Sequence, residues 1–318
     1  MSNDTSHPIC PKCGYDQSGA IATWEEQCPM RGVCPECGLG IDWADVFDPS
    51  RVHLPWYVEH ARGVGVMIRR SVATIRMLLI PNRFWHRLGV ERVVYPRRIW
   101  GWVAMLVCLG YLLMFIAVIL VIALQTAKWN QLLAQLKAQD PALAARWGIG
   151  HTDMADPWYW IDVLFSAFRA IPAGFSGLSS NGVQIALIIL GMVLLWAVIL
   201  SVLPTTRRIA KLRFAHISRA LALSCAVAYC ILTLSVLVDS VANILSIQNM
   251  NLTQSTLGVT GMIRSRWSPL QEVLNTAMSV VFIVGSIWTQ WFWISACIIG
   301  WRIRSLPLLL LALIASLL

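Results

Sequence analysis

Four long apolar segments restrict this chain most, because a run of about 20 apolar residues is what a helix needs to cross a bilayer. They cover residues 100–124, 183–203, 221–241 and 276–299. A fifth apolar run, residues 306–318, would be only about 20 Å long as a helix, so whether it spans is left open. We therefore predict an integral membrane protein, with an all-α polytopic domain of four to five transmembrane helices over residues 99–318.

Charge is scarce and unevenly placed. Charged residues make up 13% of the chain and mean hydropathy is +0.64, whereas roughly a quarter of a soluble domain is charged. Residues 1–98 hold ten of the sixteen acidic and twelve of the twenty-five basic residues. A polar N-terminal part therefore precedes the membrane domain.

The basic residues also predict an orientation. Lys and Arg next to membrane spans mark the cytoplasmic side, and nineteen of the twenty-five lie before the first span, between the second and third, or after the fourth. Residues 1–9 have neither the basic start nor the apolar core of a signal peptide. We expect a cytoplasmic N-terminus, and a first outer loop, residues 125–181, on the opposite side.

The segment of residues 51–98 combines arginines with an apolar helical repeat. Val64, Ile68, Val72, Ile75 and Leu79 recur at steps of three and four residues, and arginines fall largely between them. This pattern is typical of a basic amphipathic helix lying in the cytoplasmic membrane interface. The alternative is an ordinary amphipathic helix that packs its apolar face on the protein.

Tryptophans lie near the predicted ends of spans or beside amphipathic segments. An amphipathic ring prefers the headgroup level of a bilayer, so the pattern predicts an aromatic belt formed by Trp100, Trp102, Trp158, Trp160 and Trp301.

Two similar cysteine pairs open the chain, CPKCG at 10–14 and CPECG at 34–38. Cysteines two residues apart can point both thiolates at one ion, and two such turns form the closed tetrahedral site of structural zinc. In a reducing compartment, paired CxxC motifs favour a metal over disulfides. We predict a small β zinc ribbon over residues 1–50 with Zn²⁺ held by Cys10, Cys13, Cys34 and Cys37. The alternative is unmetallated or redox-active cysteines.

A fifth cysteine, Cys28, lies six residues before Cys34 and could compete as a ligand, as could His7 more weakly; we expect Cys28 to be a free thiol. A closed four-thiolate site leaves no position for substrate, so the zinc would be structural rather than catalytic. The ribbon has eight acidic residues against Lys12 and Arg31, which disfavours nucleic acid. We expect it to contact a protein partner or a neighbouring part of the same chain.

Catalytic motifs are weak. GFSG at 174–177 resembles the serine motif of rhomboid-type intramembrane proteases, which need a histidine at membrane depth on a later span. The only histidine after Ser176 is His216, in an Arg-rich link predicted on the opposite side. The other histidines form no metal-ligand set, and we assign no catalytic or cofactor-binding residues.

The ribbon pattern CPKCGYD and CPECG, followed by several apolar spans, resembles bacterial membrane proteins with an N-terminal zinc ribbon. IPNRFWHRL at 80–88 resembles the Pro-Arg-aromatic segment that precedes the first span of Yip-type five-span membrane proteins. The short last segment and the long first outer loop depart from the Yip-type layout. These resemblances imply a location in the bacterial inner membrane and an organising role.

The sequence is compatible with two functions. The first is a membrane scaffold or adaptor whose ribbon recruits or braces a protein partner, or a second copy, at the cytoplasmic surface. The second is a small-molecule transporter or channel with the ribbon as a stabilising cytoplasmic cap, which requires a hydrated path among the spans. The spans carry few ionisable groups, and such groups usually mark transport paths.

Overall fold

The computed structural model describes residues 8–25, 27–139, 180–202, 211–248 and 268–303. The chain divides into two compact units. The first contains Met1–Leu106, Ile189–Ala228 and Gly285–Leu318, and the second contains Val107–Ile188 and Tyr229–Val284. Three features predicted from the sequence lie outside the described residues: the run at 306–318, the serine motif at 174–177 and most of the first outer loop.

The N-terminal part of the first unit is a small ribbon. Helix α1 (Ser18–Ile21) precedes strands β1 (Arg31–Val33) and β2 (Gly40–Asp42), and helix α2 (Trp43–Phe47) follows. The strands pair antiparallel with Gly32 opposite Ile41. Trp43 is buried, and its ring meets that of Trp24 edge to face at 4.8 Å. The predicted small β structure near the cysteines is therefore present.

Two helices follow, α3 (Val64–Leu78) and α4 (Pro81–Leu88), after short 3-10 turns at Pro49–Val52 and Val58–His60. Helix α3 buries Ser71, Thr74 and Leu78, whereas its arginines Arg69 and Arg76 are exposed. The Thr74 hydroxyl accepts the Val58 N–H at 3.0 Å and donates to Trp56 O at 3.1 Å. The Ser71 hydroxyl accepts the indole N–H of Trp102 at 2.8 Å. These bonds turn the apolar repeat of α3 away from the protein.

Four longer helices make up the rest of the described chain: α5 (Pro96–Gln139), α6 (Ser180–Val202), α7 (Phe214–Gln248) and α8 (Ser268–Ser295), the last extended by a π-helical turn at Ala296–Gly300. Within the described residues, three stretches are long and apolar enough to cross a membrane: Pro96–Lys128, Phe214–Val238 and Ser279–Gly300. They match the predicted spans 100–124, 221–241 and 276–299. Helix α6 carries a shorter apolar stretch, Ile188–Ser201, so the count of four to five spans stays a prediction.

Aromatic rings fill the core of the first unit. Trp196 and Trp293 stack with centroids 6.1 Å apart, and Trp85 meets Trp301 at 6.0 Å. Gly300 is required here, because a Cβ at that position would lie 2.7 Å from the Trp85 ring. Trp102 and Trp301 are buried, so the predicted belt is wrong for these two: their rings pack in the core. Trp158 and Trp160 lie outside the described residues.

A buried ion pair joins α7 to the segment before α3. Arg219 Nε lies 2.9 Å from Glu59 Oε2. The predicted third span begins at residue 221, two residues after Arg219, but helix α7 already begins at Phe214. The helix starts earlier because the N-terminal ribbon and the 3-10 turn supply polar partners for its first two turns.

The described part of the second unit contains a close helix contact. Gly110 of α5 faces Tyr229 and Thr233 of α7, where a Cβ would approach the Tyr229 ring to 2.6 Å. The Tyr229 hydroxyl donates to Val107 O at 2.8 Å. A glycine at this position therefore lets the two backbones approach.

Candidate metal centre

The two cysteine pairs form matching turns. In each, the glycine after the second cysteine donates its N–H to the carbonyl of the first cysteine at 2.9 Å, Gly14 to Cys10 and Gly38 to Cys34. Both glycines have positive φ, +81° and +67°, a conformation that costs other residues about 1–2 kcal/mol. The sequence CPxCG therefore folds locally into a turn that presents two thiols on one side.

The turns bring four sulfurs together. The Sγ atoms of Cys10, Cys13, Cys34 and Cys37 all lie within 4.8 Å of one another. Cys10 Sγ is 3.6 Å from Cys37 Sγ, and Cys13 Sγ is 3.7 Å from Cys34 Sγ. A tetrahedral zinc site with Zn–S bonds of about 2.3 Å places its sulfurs about 3.8 Å apart. The four predicted residues thus form a cluster that could hold a metal ion, and four thiols with this spacing fit zinc.

Electrostatics favour a cation among these sulfurs. Burial, together with the neighbouring Cys10 thiol, raises the pKa of the Cys37 thiol to about 11. Burial opposes ionisation of Cys34 too, but the backbone N–H groups of Cys37 and Glu36 lower its pKa to about 7. Four thiolates this close repel one another, so a divalent cation is the natural compensation. When bound, zinc would cross-link the two turns, and no substrate position would remain.

One residue beside the sulfurs is missed by sequence reasoning. Gln17 is fully buried, and its amide Nε2 donates to Cys34 Sγ at 3.3 Å. Its backbone N–H donates to Pro8 O at 2.8 Å, which holds the chain before and after the first turn together. A donor to sulfur orients the thiolate and spreads its charge. A single glutamine gives no pattern from which this role could be found.

Cys28 lies apart from the cluster. Its side chain is exposed, and its thiol donates to the neighbouring Pro29 O at 3.5 Å. The other candidate for a ligand position, His7, falls outside the described residues. Cys28 therefore supplies a matched control for any experiment on the four clustered cysteines.

The first cysteine turn docks on the start of α7. The Arg213 N–H donates to Lys12 O at 3.1 Å, and His216 Nε2 lies 2.9 Å from Pro11 O. A carbonyl cannot donate, so Nε2 of His216 carries the proton. His216 is buried, and a Cβ on Gly14 would lie 3.1 Å from the Arg213 side chain. The glycine thus serves both the turn and the contact.

The second cysteine turn contacts the same segment. Lys211 Nζ lies 3.0 Å from Glu36 Oε1 and also donates to the Glu36 carbonyl. The hydrogen bond to Glu36, helped by the nearby Cys37 and Cys13, raises the pKa of Lys211. A cluster of four thiolates around a divalent ion has net negative charge, so a neighbouring lysine compensates part of it. Both turns therefore rest on one short segment, residues 211–216.

No known protein family, curated protein or solved structure matches this chain. The resemblances to ribbon-bearing bacterial membrane proteins and to Yip-type proteins therefore stay predictions. The described residues define a class: a mostly helical protein with membrane-span-like helices and an N-terminal four-cysteine cluster suited to a metal ion.

Proposed function

We propose that this protein is an integral membrane scaffold whose N-terminal zinc ribbon braces the helical domain and presents a surface to a protein partner. One observation carries the proposal: both cysteine turns are docked on the segment just before and at the start of α7. A site closed by four thiols has a structural role. Because the ribbon contacts the start of α7 in the same chain, its folded structure would hold that helix end in place.

The ribbon would face the cytoplasm of a bacterium, with the spans in the inner membrane. The distribution of Lys and Arg supports this orientation. The paired CxxC motifs agree with this placement, because in a reducing compartment such pairs favour a metal over disulfides. The proposed domains are the ribbon at 1–50, the interfacial segment at 51–98 and the membrane domain at 99–318.

The ribbon has surface left for a partner. Met30, Val33 and Phe47 are exposed, Met30 at 84% of its full area. The ribbon is also acidic. Large exposed apolar side chains in an acidic setting suit a protein surface with an apolar centre and a basic rim. That partner is either another protein or a second copy of this chain.

Helix α3 would lie in the membrane interface. Its apolar repeat is exposed, with Val64 at 65%, Ile68 at 56% and Val72 at 73% of full area, while Ser71 and Thr74 are buried. An exposed apolar stripe beside arginines matches a helix resting on a bilayer. The alternative, a helix that packs this stripe on the protein, is at odds with these exposures.

The experiment compares Cys34→Ser with Cys28→Ser in the full chain. Zinc is counted by elemental mass spectrometry, and a photo-cross-linking residue at Val33 captures the partner in intact membranes. We expect Cys34→Ser to lose both zinc and the adduct while the spans still insert, and Cys28→Ser to keep both. An adduct twice the chain's mass would identify a second copy. Partner capture that survives zinc loss would contradict the scaffold proposal.

The alternative function, a transporter or channel, has no specific support among the described residues. Inside α8 the Thr289 hydroxyl donates to Gly285 O at 2.8 Å, and Gln290 Oε1 accepts the Trp196 indole N–H at 2.9 Å. These bonds serve helix packing. Ligand-dependent flux in reconstituted vesicles would favour transport over the scaffold.

A further inference from the structure

A basic cavity lies before and along the first turn of α3. It has a volume of about 350 Å³ and is lined by His53, Leu54, Pro55, His60, Arg62, Val66 and Arg70. Two of these residues are arginines and two are histidines, and the lining within the described residues includes no carboxylate. Such a set of groups attracts an anion.

Two nitrogens of the lining residues have no partner. Nε2 of His53 and Nε of Arg70 are buried, and neither makes a hydrogen bond within the described residues. Buried donors without partners cost about 1–3 kcal/mol each, so each such group in a folded protein calls for an explanation. Neither nitrogen is exposed to the cavity in this structure, so a bound anion accepts from them only where their side chains turn toward it.

The surrounding groups hold the lining in place. His53 and His60 stack with centroids 4.5 Å apart, and His60 Nδ1 accepts the Leu54 N–H at 2.8 Å. Arg70 Nη1 reaches Tyr57 O at 3.5 Å. Gly63, at the start of α3, provides no side-chain cap, so the first N–H groups of this helix add positive potential. These contacts hold His60 and Arg70 in place beside the cavity, while Arg62 is exposed.

The chemistry of the two arginine side chains indicates which anion the cavity binds. Guanidinium groups bind the oxygens of phosphate in a bidentate manner and are preferred wherever phosphate is recognised. Val66 lines the cavity and is 38% exposed, whereas Val64 and Ile68 of the exposed apolar stripe lie about 160° away from it around the helix. The phosphate of a phospholipid headgroup and a soluble phosphate present the same kind of oxygen atoms to these guanidinium groups.

We propose that this cavity binds a phosphate group, with Arg62 and Arg70 supplying charge and His53 supplying a hydrogen bond. The phosphate comes from an anionic lipid headgroup or from a soluble phosphate. The site is independent of the four cysteines, and its test does not use zinc or a protein partner.

The test uses the full chain purified in a phosphate-free sugar detergent. Binding of inorganic phosphate is followed by ³¹P NMR against chloride at equal ionic strength. Lipid binding is followed by native mass spectrometry of protein released from nanodiscs of phosphatidylcholine with or without phosphatidate. Arg62→Gln should weaken binding at least about tenfold, as expected for loss of a charge-assisted hydrogen bond.

Arg69→Gln is the matched control, because Arg69 is an exposed arginine of α3 beside Arg70 and is not among the residues that line the cavity. It removes the same charge and should leave binding within about twofold. Arg70→Gln is a second test, with its thermal unfolding temperature checking its fold. If Arg70→Gln misfolds, the result for Arg62→Gln tests the proposal, because Arg62 is exposed and its substitution should leave the fold intact.

Arg62-dependent binding of phosphatidate alone would assign the site to lipid, and Arg62-dependent binding of inorganic phosphate alone would assign it to a soluble anion. Both results support the proposal, as does binding of the two probes together. Binding of neither probe, or equal loss in Arg62→Gln and Arg69→Gln, would overturn it.

Discussion

Arg219 and Glu59 form a buried ion pair with 1% and 0% of their side chains exposed and a 2.9 Å Nε–Oε2 distance. The pair is further satisfied by the backbone: the Tyr95 N–H donates to Glu59 Oε1, and Arg219 Nη2 donates to Val93 O at 2.8 Å. Charges removed from water need such extra bonds to offset their desolvation. The pair therefore fixes the start of α7 against the chain that precedes α3.

Breaking this pair is predicted to destabilise the protein strongly. Glu59→Gln keeps an oxygen for the Tyr95 N–H but leaves the Arg219 charge buried without a counter-ion, a loss of about 3–5 kcal/mol. Adding Arg219→Met removes that charge, so the double variant should lose less than the sum of the singles. Chemical unfolding in detergent measures all four proteins. Additive losses would contradict a coupled pair.

Stability is also predicted to fall in acid through His60. Burial, with His53 and Arg219 nearby, lowers the pKa of His60 from 6.5 to about 3. The folded state thus keeps His60 neutral, whereas the unfolded chain takes up a proton below about pH 6.5. The free energy of unfolding should therefore decrease as pH falls from about 6.5 toward 3, by at most about 1.4 kcal/mol per pH unit.

His60→Asn isolates this effect, since asparagine can still accept the Leu54 N–H but does not titrate. Its unfolding temperature should fall less steeply with pH than that of the unchanged protein. His86→Asn is the control, because His86 is exposed, and it should keep the original slope. Parallel slopes for all three proteins would show that other groups govern the acid sensitivity.

Local patterns account for what the sequence predicts correctly. Cys10 and Cys13 are brought together by a turn of five residues, and hydropathy alone marks Pro96–Lys128 as a candidate span. Cys34 and Cys37 repeat the same motif 24 positions later, so the second turn is predicted in the same way. Each of these features depends on a short stretch of sequence, so it can be predicted from that stretch alone.

Contacts between residues far apart in the sequence cannot be predicted in this way. His216 contacts Pro11 across 205 positions, and Arg219 meets Glu59 across 160, so neither role has a signal near the residue itself. The repeat of α3 predicts an amphipathic helix but leaves open which side is buried. That choice follows from Ser71 and Thr74, whose hydroxyls find partners only in the folded protein.

The contact between the ribbon and the start of α7 can be tested with two glycines. Valine at Gly14 or Gly38 strains both turns equally, because both need positive φ. Only Gly14 faces Arg213, at 3.1 Å, whereas among the described residues nothing lies within 4 Å of a Cβ at Gly38. Gly14→Val should therefore lose zinc to a chelator faster than Gly38→Val. Equal rates would indicate that docking does not support the metal site.

A second glycine pair tests the packing of α5 on α7. A Cβ at Gly110 would lie 2.6 Å from Tyr229 Cε1 and 2.8 Å from Thr233 Oγ1. In the described part of the chain, no atom lies within 4 Å of a Cβ placed at Gly101. Gly110→Ala should cost about 1–3 kcal/mol, the usual penalty for overpacking. Gly101→Ala on the same helix should be neutral or gain about 0.5–1 kcal/mol from helix propensity.

Thermal unfolding in one detergent compares the two variants. The Tyr229 hydroxyl, which donates to Val107 O, gives a second readout, because displacing its ring breaks that bond. Tyr229→Phe removes the bond but keeps the ring, and it should cost less than Gly110→Ala. A stabilised Gly110→Ala protein would show that α5 and α7 do not pack closely at this position, since only a wider separation leaves room for the added methyl group.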